Sequence, residues 1–183
     1  MFETDFTFPH DYEVAEIGDL PGTGKFQHPV VFFPPSKDGR EPTGLWLKVS
    51  AAGGKTWIGV FAFGYPSPPA FCRIVTSQNP NRVCVISNGA GYFVSADEPD
   101  TWEEVPLIPI LDVRPIPEHG LLVISDFTDL AAYDSNGLRW RSPQVCHDGL
   151  KILNVNDQKI EGIGYDPTNS SSPERPFAID LKT

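Results

Sequence analysis

Val83-Cys84-Val85-Ile86-Ser87 returns as Leu121-Leu122-Val123-Ile124-Ser125, 38 positions later, and Trp102 returns at the same interval as Trp140. Between these marks each stretch holds a second apolar run, Tyr92-Phe93-Val94 in one and Leu130-Ala131-Ala132 in the other. A polar turn follows in both, Asp97-Glu98-Pro99-Asp100 and Asp134-Ser135-Asn136-Gly137. Apolar runs this short cannot cover their own faces. A period near 40 built from them therefore predicts β units that stack on one another.

The rest of the chain reads the same way. Runs of β-type residues recur about every ten positions: Val30–Phe33, Leu45–Val49, Thr56–Phe61, Phe71–Val75, Ile110–Ile116, Lys151–Val155, Ile160–Ile163 and Phe177–Leu181. Turn formers separate them, as in Ala52-Gly53-Gly54, Asn79-Pro80-Asn81, Glu118-His119-Gly120 and Asn156-Asp157-Gln158. Helical spacing is nearly absent; only Asp11 to Ile17 has the length for a helical turn. With 19 prolines, 16 glycines and 12 phenylalanines in 183 residues, the expectation is one all-β domain, residues 1–183, with approximate 38–40-residue internal repeats.

The segment from Gly120 to Ser142 resembles one blade of a quinoprotein-type β-propeller repeat. Its parts are a strand (Leu121–Ser125), a polar loop (Asp126-Phe127-Thr128-Asp129) and a strand ending in Tyr133-Asp134. A Gly turn and a last strand carrying Trp140 complete it. Phe177-Ala178-Ile179-Asp180 resembles the third strand again. The resemblance implies four strands per blade, a to d from hub to rim, and it carries no activity with it, because the class includes both enzymes and scaffolds. Counting from Trp140 places blades at 110–142 and 71–105, and a first blade with a at 12–18, b at 26–33, c at 44–50 and d at 55–62. A last blade has a at 150–156, b at 159–164 and c at 176–182. Its missing d strand is expected from the N-terminus, where Phe2, Thr4, Phe6 and Phe8 alternate with polar residues. That pairing would close a small propeller-like ring of about four blades. The alternative architecture is a β-sandwich or barrel.

Net charge is −10, and the basic residues are scattered. Such a surface repels phosphate backbones and anionic lipid, so neither nucleic acid nor membrane is an expected partner. The sequence has no apolar run of about 20 residues and no signal-peptide pattern, and its three cysteines are irregularly spaced. A cytoplasmic protein is expected. Motifs for chemistry are few. Cys146-His147-Asp148 has the residue types of a thiol nucleophile and base, but neighbours on an extended chain point to opposite faces. The histidines (His10, His28, His119 and His147) lack metal-ligand spacing. Gly22-Thr23-Gly24-Lys25 misses the phosphate-loop pattern by one position and by the absent Ser or Thr. Asp134-Ser135-Asn136-Gly137 lacks the later glutamate of a calcium loop, and the four tryptophans read as packing between sheets. No cofactor or metal is expected.

In the blade scheme the b–c and d–a connections share one face. That face would gather Asp126 to Asp129, Gln144 to Gly149, Asp166 to Pro176, and the loop Pro34 to Gly44 with Lys37, Asp38, Arg40 and Glu41. The candidate binding residues are Asp126, Asp129, His147, Asp148 and Asp166. The expected function is a non-enzymatic interaction module that binds another protein through this acidic, loop-rich face. The alternative is a small-molecule or metal-binding enzyme using the same acids with His147.

Overall fold

Burial follows the alternation of the sequence strand by strand, and it separates inner sheets from outer ones. In a computed structural model the chain is described over residues 3–18, 24–36, 41–65, 71–156, 158–168 and 173–182. Strands β7 (Arg82–Ser87), β8 (Ala90–Ser95), β11 (Leu121–Ser125) and β12 (Leu130–Asp134) are buried on both faces. Their sequences are accordingly unbroken apolar runs. By contrast β14 (Asp148–Val155), β15 (Lys159–Tyr165) and β16 (Glu174–Asp180) alternate, with one face left to solvent.

The remaining strands are β1 (Glu3–Asp5), β2 (Tyr12–Glu16), β3 (Val30–Phe33), β4 (Gly44–Ala51), β5 (Thr56–Ala62), β6 (Arg73–Thr76), β9 (Trp102–Glu104), β10 (Asp112–Ile116) and β13 (Gly137–Arg141). They form four sheets. In chain order these are β2-β4-β5-β3, then β1-β6-β7-β8-β9, then β10-β11-β12-β13, then β14-β15-β16. Three buried clusters join them in succession. Leu47, Trp57 and Phe61 of the first sheet meet Ile74, Val85 and Tyr92 of the second. Val75, Ile86 and Phe93 on the second sheet's other face meet Val113, Leu122 and Tyr133 of the third. Leu121, Val123 and Ala132 then meet Leu150, Ile152 and Ile160 of the fourth. The expected all-β fold is therefore present, as a stack of blade-like sheets and not as a barrel.

Two expectations about connectivity are corrected. The N-terminal strand does not complete the last sheet: β1 pairs in parallel with β6, Glu3 opposite Arg73 and Asp5 opposite Val75. Phe2 lies outside the described residues. The physical reasons sit at both strands. Arg73 forms an ion pair with Glu3, and Thr76 Oγ1 accepts the amide of Phe8, whose ring is buried. On β16 the hydrogen bonds Asp166 N–Pro173 O and Leu181 N–Gln158 O set the odd-numbered residues toward β15. Pro176 therefore faces the outer edge, where it has no N–H to give a further strand. With β1 engaged elsewhere, no sheet among the described residues closes the stack into a ring.

The second correction is in the first sheet. The segment expected as strand b becomes β3 at the outer edge, parallel to β5 with Val30 opposite Ile58, while β2 pairs directly with β4. Aromatic packing holds it there. The Phe33 ring stacks on Phe61 at 4.8 Å and meets Trp102 edge-on at 5.7 Å. The link from β2 to β3 then has to cross the sheet, and Phe26 on it stacks against Trp46 at 5.5 Å. Ile58 and Val60 point away from the second sheet, yet only 4% and 0% of their surface is exposed. The outward face of the first sheet is thus covered along β5, while Lys48 on the neighbouring β4 stays exposed.

Candidate functional site

The b–c and d–a connections of the third and fourth sheets do meet on one face. Val145 N–H donates to Thr128 O, Leu150 N–H to Phe127 O and His147 N–H to Tyr165 O. These bonds lash the connection 142–147 between the loop at 126–129 and the end of β15. A groove of about 330 Å³ opens beside them, lined by Gln144, Cys146, His147, Asp166, Arg175 and Phe177.

Of the five candidate residues, the structure brings His147 and Asp166 together, Nδ1 to Oδ1 at 3.8 Å. Arg175 Nε lies 3.2 Å from the other oxygen of Asp166. Thr168 donates to Asp166 Oδ1 twice, from Oγ1 at 2.6 Å and from its amide at 3.0 Å. These hydrogen bonds, chiefly the hydroxyl's, and then the charges of Arg175 and His147 hold the Asp166 carboxyl below its ordinary range. Asp166 is thus held by Thr168 and by the Arg175 guanidinium, with the His147 ring alongside.

Asp126, Asp129 and Asp148 are engaged in the backbone and in ion pairing. Asp126 Oδ1 accepts the amides of Thr128 at 2.8 Å and Asp129 at 2.7 Å, an Asx turn that shapes the loop. Asp129 Oδ2 pairs with Arg141 at 2.8 Å. Asp148 Oδ1 accepts the amide of Gly149, whose φ of 65° suits glycine.

Cys146 is built in tightly. Its Sγ donates to Phe127 O at 3.4 Å and Asp148 O at 3.3 Å. A Cβ on Gly164 would stand 2.4 Å from the Cβ of Cys146, so glycine lets the 142–147 connection approach β15 here. Burial raises the thiol's pKa, opposed in part by the backbone of Asp148 and Tyr165. A thiol held protonated and aimed at carbonyls is a poor nucleophile at neutral pH. No contact joins it to the His147 ring, which turns to Asp166 instead. Among the described residues no three His, Cys, Asp or Glu side chains gather as a metal group.

Arg175 and Thr168 were not among the residues singled out from sequence. Register supplies the missing signal: Gly164 pairs with Arg175 and Tyr165 with Glu174, so the ends of β15 and β16 bring Arg175 beside Asp166. Of the loop Pro34 to Gly44, Lys37, Asp38 and Arg40 lie outside the described residues, as do Asn169, Ser170 and Ser171. Among the described residues no helix is long and apolar enough to cross a membrane.

No protein-family model matches the sequence, and no curated protein matches it. Several solved structures are similar in backbone. The CNH domain of AfRom2 is 8% identical with a TM-score of 0.38, over 77% of this chain and 48% of that one. The N-terminal domain of Nup159 is 12% identical with a TM-score of 0.37, over 100% of this chain and 55% of that one. A chain of an S. cerevisiae complex, Dbp5 bound to Nup159 and Gle1 with IP6 and ADP, is 12% identical with a TM-score of 0.40, over 100% and 51%. The chain spans about half the length of each of these matches.

Proposed function

We propose that this chain is a non-enzymatic protein-interaction module, a single domain of repeated β units, that engages its partner through the loop face around the Gln144–Phe177 groove. One observation carries the reading. The chemical groups in the groove are committed to holding its shape: Cys146 to main-chain carbonyls, and Asp166 to Thr168, Arg175 and His147. What remains for a partner is shape, the outer atoms of Arg175 and His147, and the surrounding acidic surface. With a net charge of −10, the expected partner surface is basic, and encounter is fastest at low ionic strength.

The test is affinity capture with the full chain and with Arg175→Ala, at low and high salt. Specific capture that falls with salt and is weakened by the substitution supports the reading. Capture indifferent to both refutes it.

A second reading rests on the nearness of the His147 ring to the Asp166 carboxylate, 3.8 Å from Nδ1 to Oδ1, an imidazole beside a carboxylate that substrate binding would have to draw into hydrogen-bond range. A small-molecule site of that kind would shift the melting temperature with one metabolite or divalent ion of a panel, and His147→Ala would abolish the shift.

A further inference from the structure

The second sheet has a fifth strand, and that strand shows what the inner edges of this stack accept. β1 lies along the free side of β6, parallel to it, with Glu3 directly opposite Arg73. Glu3 N–H donates to Cys72 O, and the Glu3 carboxylate pairs with the Arg73 guanidinium. Among the described residues, the corresponding edges of β10 and β14 carry no such strand. The β10 edge is closed to one. Val113 O accepts the Arg73 guanidinium, so the odd-numbered residues of β10 face away from β11, and Pro115 among them has no N–H to give. Arg114 already has a carboxylate on its own strand, Asp112 at 2.6 Å.

The β14 edge is built like that of β6. Leu150-Lys151-Ile152 repeats Cys72-Arg73-Ile74 after 78 positions, which is two repeats, and β14 contains no proline. Leu150 N–H donates to Phe127 O and Ile152 O accepts Arg114, so residues 150 and 152 present their main-chain groups to the open side, as Cys72 does on β6. Lys151 takes the place of Arg73. It is exposed, and among the described residues its ammonium has no ion-pair partner. Along this edge runs a groove of about 520 Å³, lined by Leu111, Phe127, Leu150, Ile152 and Leu153. Leu153 there is 63% exposed.

We propose that the free edge of β14 takes an extended segment of a partner protein as an added parallel strand, with a carboxylate opposite Lys151 and apolar side chains in the groove between β10 and β14. The bonds are those of β1 on β6. An amide of the segment donates to Leu150 O, and its Glu or Asp pairs with Lys151. Main-chain bonding of this kind holds any extended segment, and the side chains choose which one and in what register. Lys151 points away from the third sheet while Leu150 and Ile152 pack toward it. The residues flanking the carboxylate therefore turn to the apolar side, beside Leu111 and Phe127. No residue lines both this groove and the Gln144–Phe177 groove, so the two surfaces are tested separately.

The experiment is fluorescence anisotropy of a labelled synthetic peptide with the sequence of residues 2–8, which contains β1, titrated with the full chain. In the full chain β1 already fills the β6 edge, which leaves the β14 edge to the peptide. Saturable binding with a dissociation constant below about 1 mM is expected. Lys151→Glu should raise that constant at least tenfold, and Lys48→Glu on the first sheet should leave it unchanged. Methylating the peptide's glutamate nitrogen removes the N–H meant for Leu150 O, and it should weaken binding as much. Lys151 is exposed, so the variant should melt with wild type; should it fail to fold, the methylated peptide still reads the main-chain bond. Absence of saturable binding up to about 1 mM, or binding indifferent to both changes, overturns the proposal. So does sedimentation showing a dimer that Lys151→Glu abolishes, since a second copy would then hold the edge.

Discussion

Trp57 is the side chain on which the contact between the first two sheets most depends, and replacing it by Phe tests that contact directly. The residue is 0% exposed, and its indole N–H donates to Ala96 O at 2.8 Å across the sheet boundary. Trp57→Phe removes the donor and leaves a buried carbonyl without it, which costs about 1–3 kcal/mol. The smaller ring also leaves a void of roughly 40 Å³, worth about 1 kcal/mol at ~24 cal/mol per Å³. The two effects together destabilise by about 2–4 kcal/mol. For a chain of this length each kcal/mol moves the melting temperature by about 2–4 °C, so a fall of roughly 4–16 °C is expected by calorimetry. Trp46 provides the internal comparison. It lies on the opposite face, half-buried and stacked on Phe26, and Trp46→Phe should lower the melting temperature by less than half as much. Equal falls for the two variants, or a change under about 2 °C for Trp57→Phe, would refute the packing of the first sheet on the second.

Three further outcomes are expected. Burial pushes the Cys84 thiol up to about 12 and also raises that of Cys146, so mass-mapped alkylation at pH 8 should leave Cys84 unlabelled until unfolding. Cys146 should be modified far more slowly than a free peptide thiol, and rapid labelling of either cysteine contradicts the burial described. Asp166 has its folded pKa below the ordinary carboxyl value, so its contribution to stability is present above that value and lost as pH falls through the lower folded one. Melting curves between pH 5 and pH 2 should therefore show less acid loss for Asp166→Asn than for wild type, and identical slopes would contradict the ion pair and turn around it. Gly162→Ala places a Cβ 2.2 Å from Lys151 O and 2.5 Å from the Phe177 ring, and it should loosen the fourth sheet by about 1–3 kcal/mol, read as faster amide exchange in β14–β16. Unchanged exchange there would contradict the close approach of those strands.

Strand positions were legible in the sequence wherever a short apolar run stood between turn formers. The interval between Val83–Ser87 and Leu121–Ser125 marks β7 and β11, each seated in adjacent sheets between the strands that precede and follow it in sequence, as expected. Trp102 and Trp140 likewise fall on β9 and β13. Partner choice was much less legible. Nothing local to Tyr12–Glu16 announces that it will pair with β4 in place of Val30–Phe33; that choice is made by Phe33 packing between Phe61 and Trp102, far apart in sequence. Pro176 blocks a further strand only because the register of β16 turns it outward, and that register is set by pairing with β15, not by the local sequence. At the candidate site, the turn-forming carboxylates Asp126 and Asp148 and the pairing of Asp129 with Arg141 follow from loop chemistry and short-range register. Arg175 emerges only once β15 and β16 are aligned.

The placement of β1 has a topological consequence. Glu3 is joined to Arg73, 70 positions away, so the whole first sheet is spun out as one excursion between two strands of its neighbour. The second sheet cannot acquire its fifth strand until the excursion has returned. Its completion then works as a clasp: the earliest described residues fasten shut a loop that contains an entire layer of the protein. Clipping those few residues would strike first at the second sheet, not at the layer they adjoin in sequence.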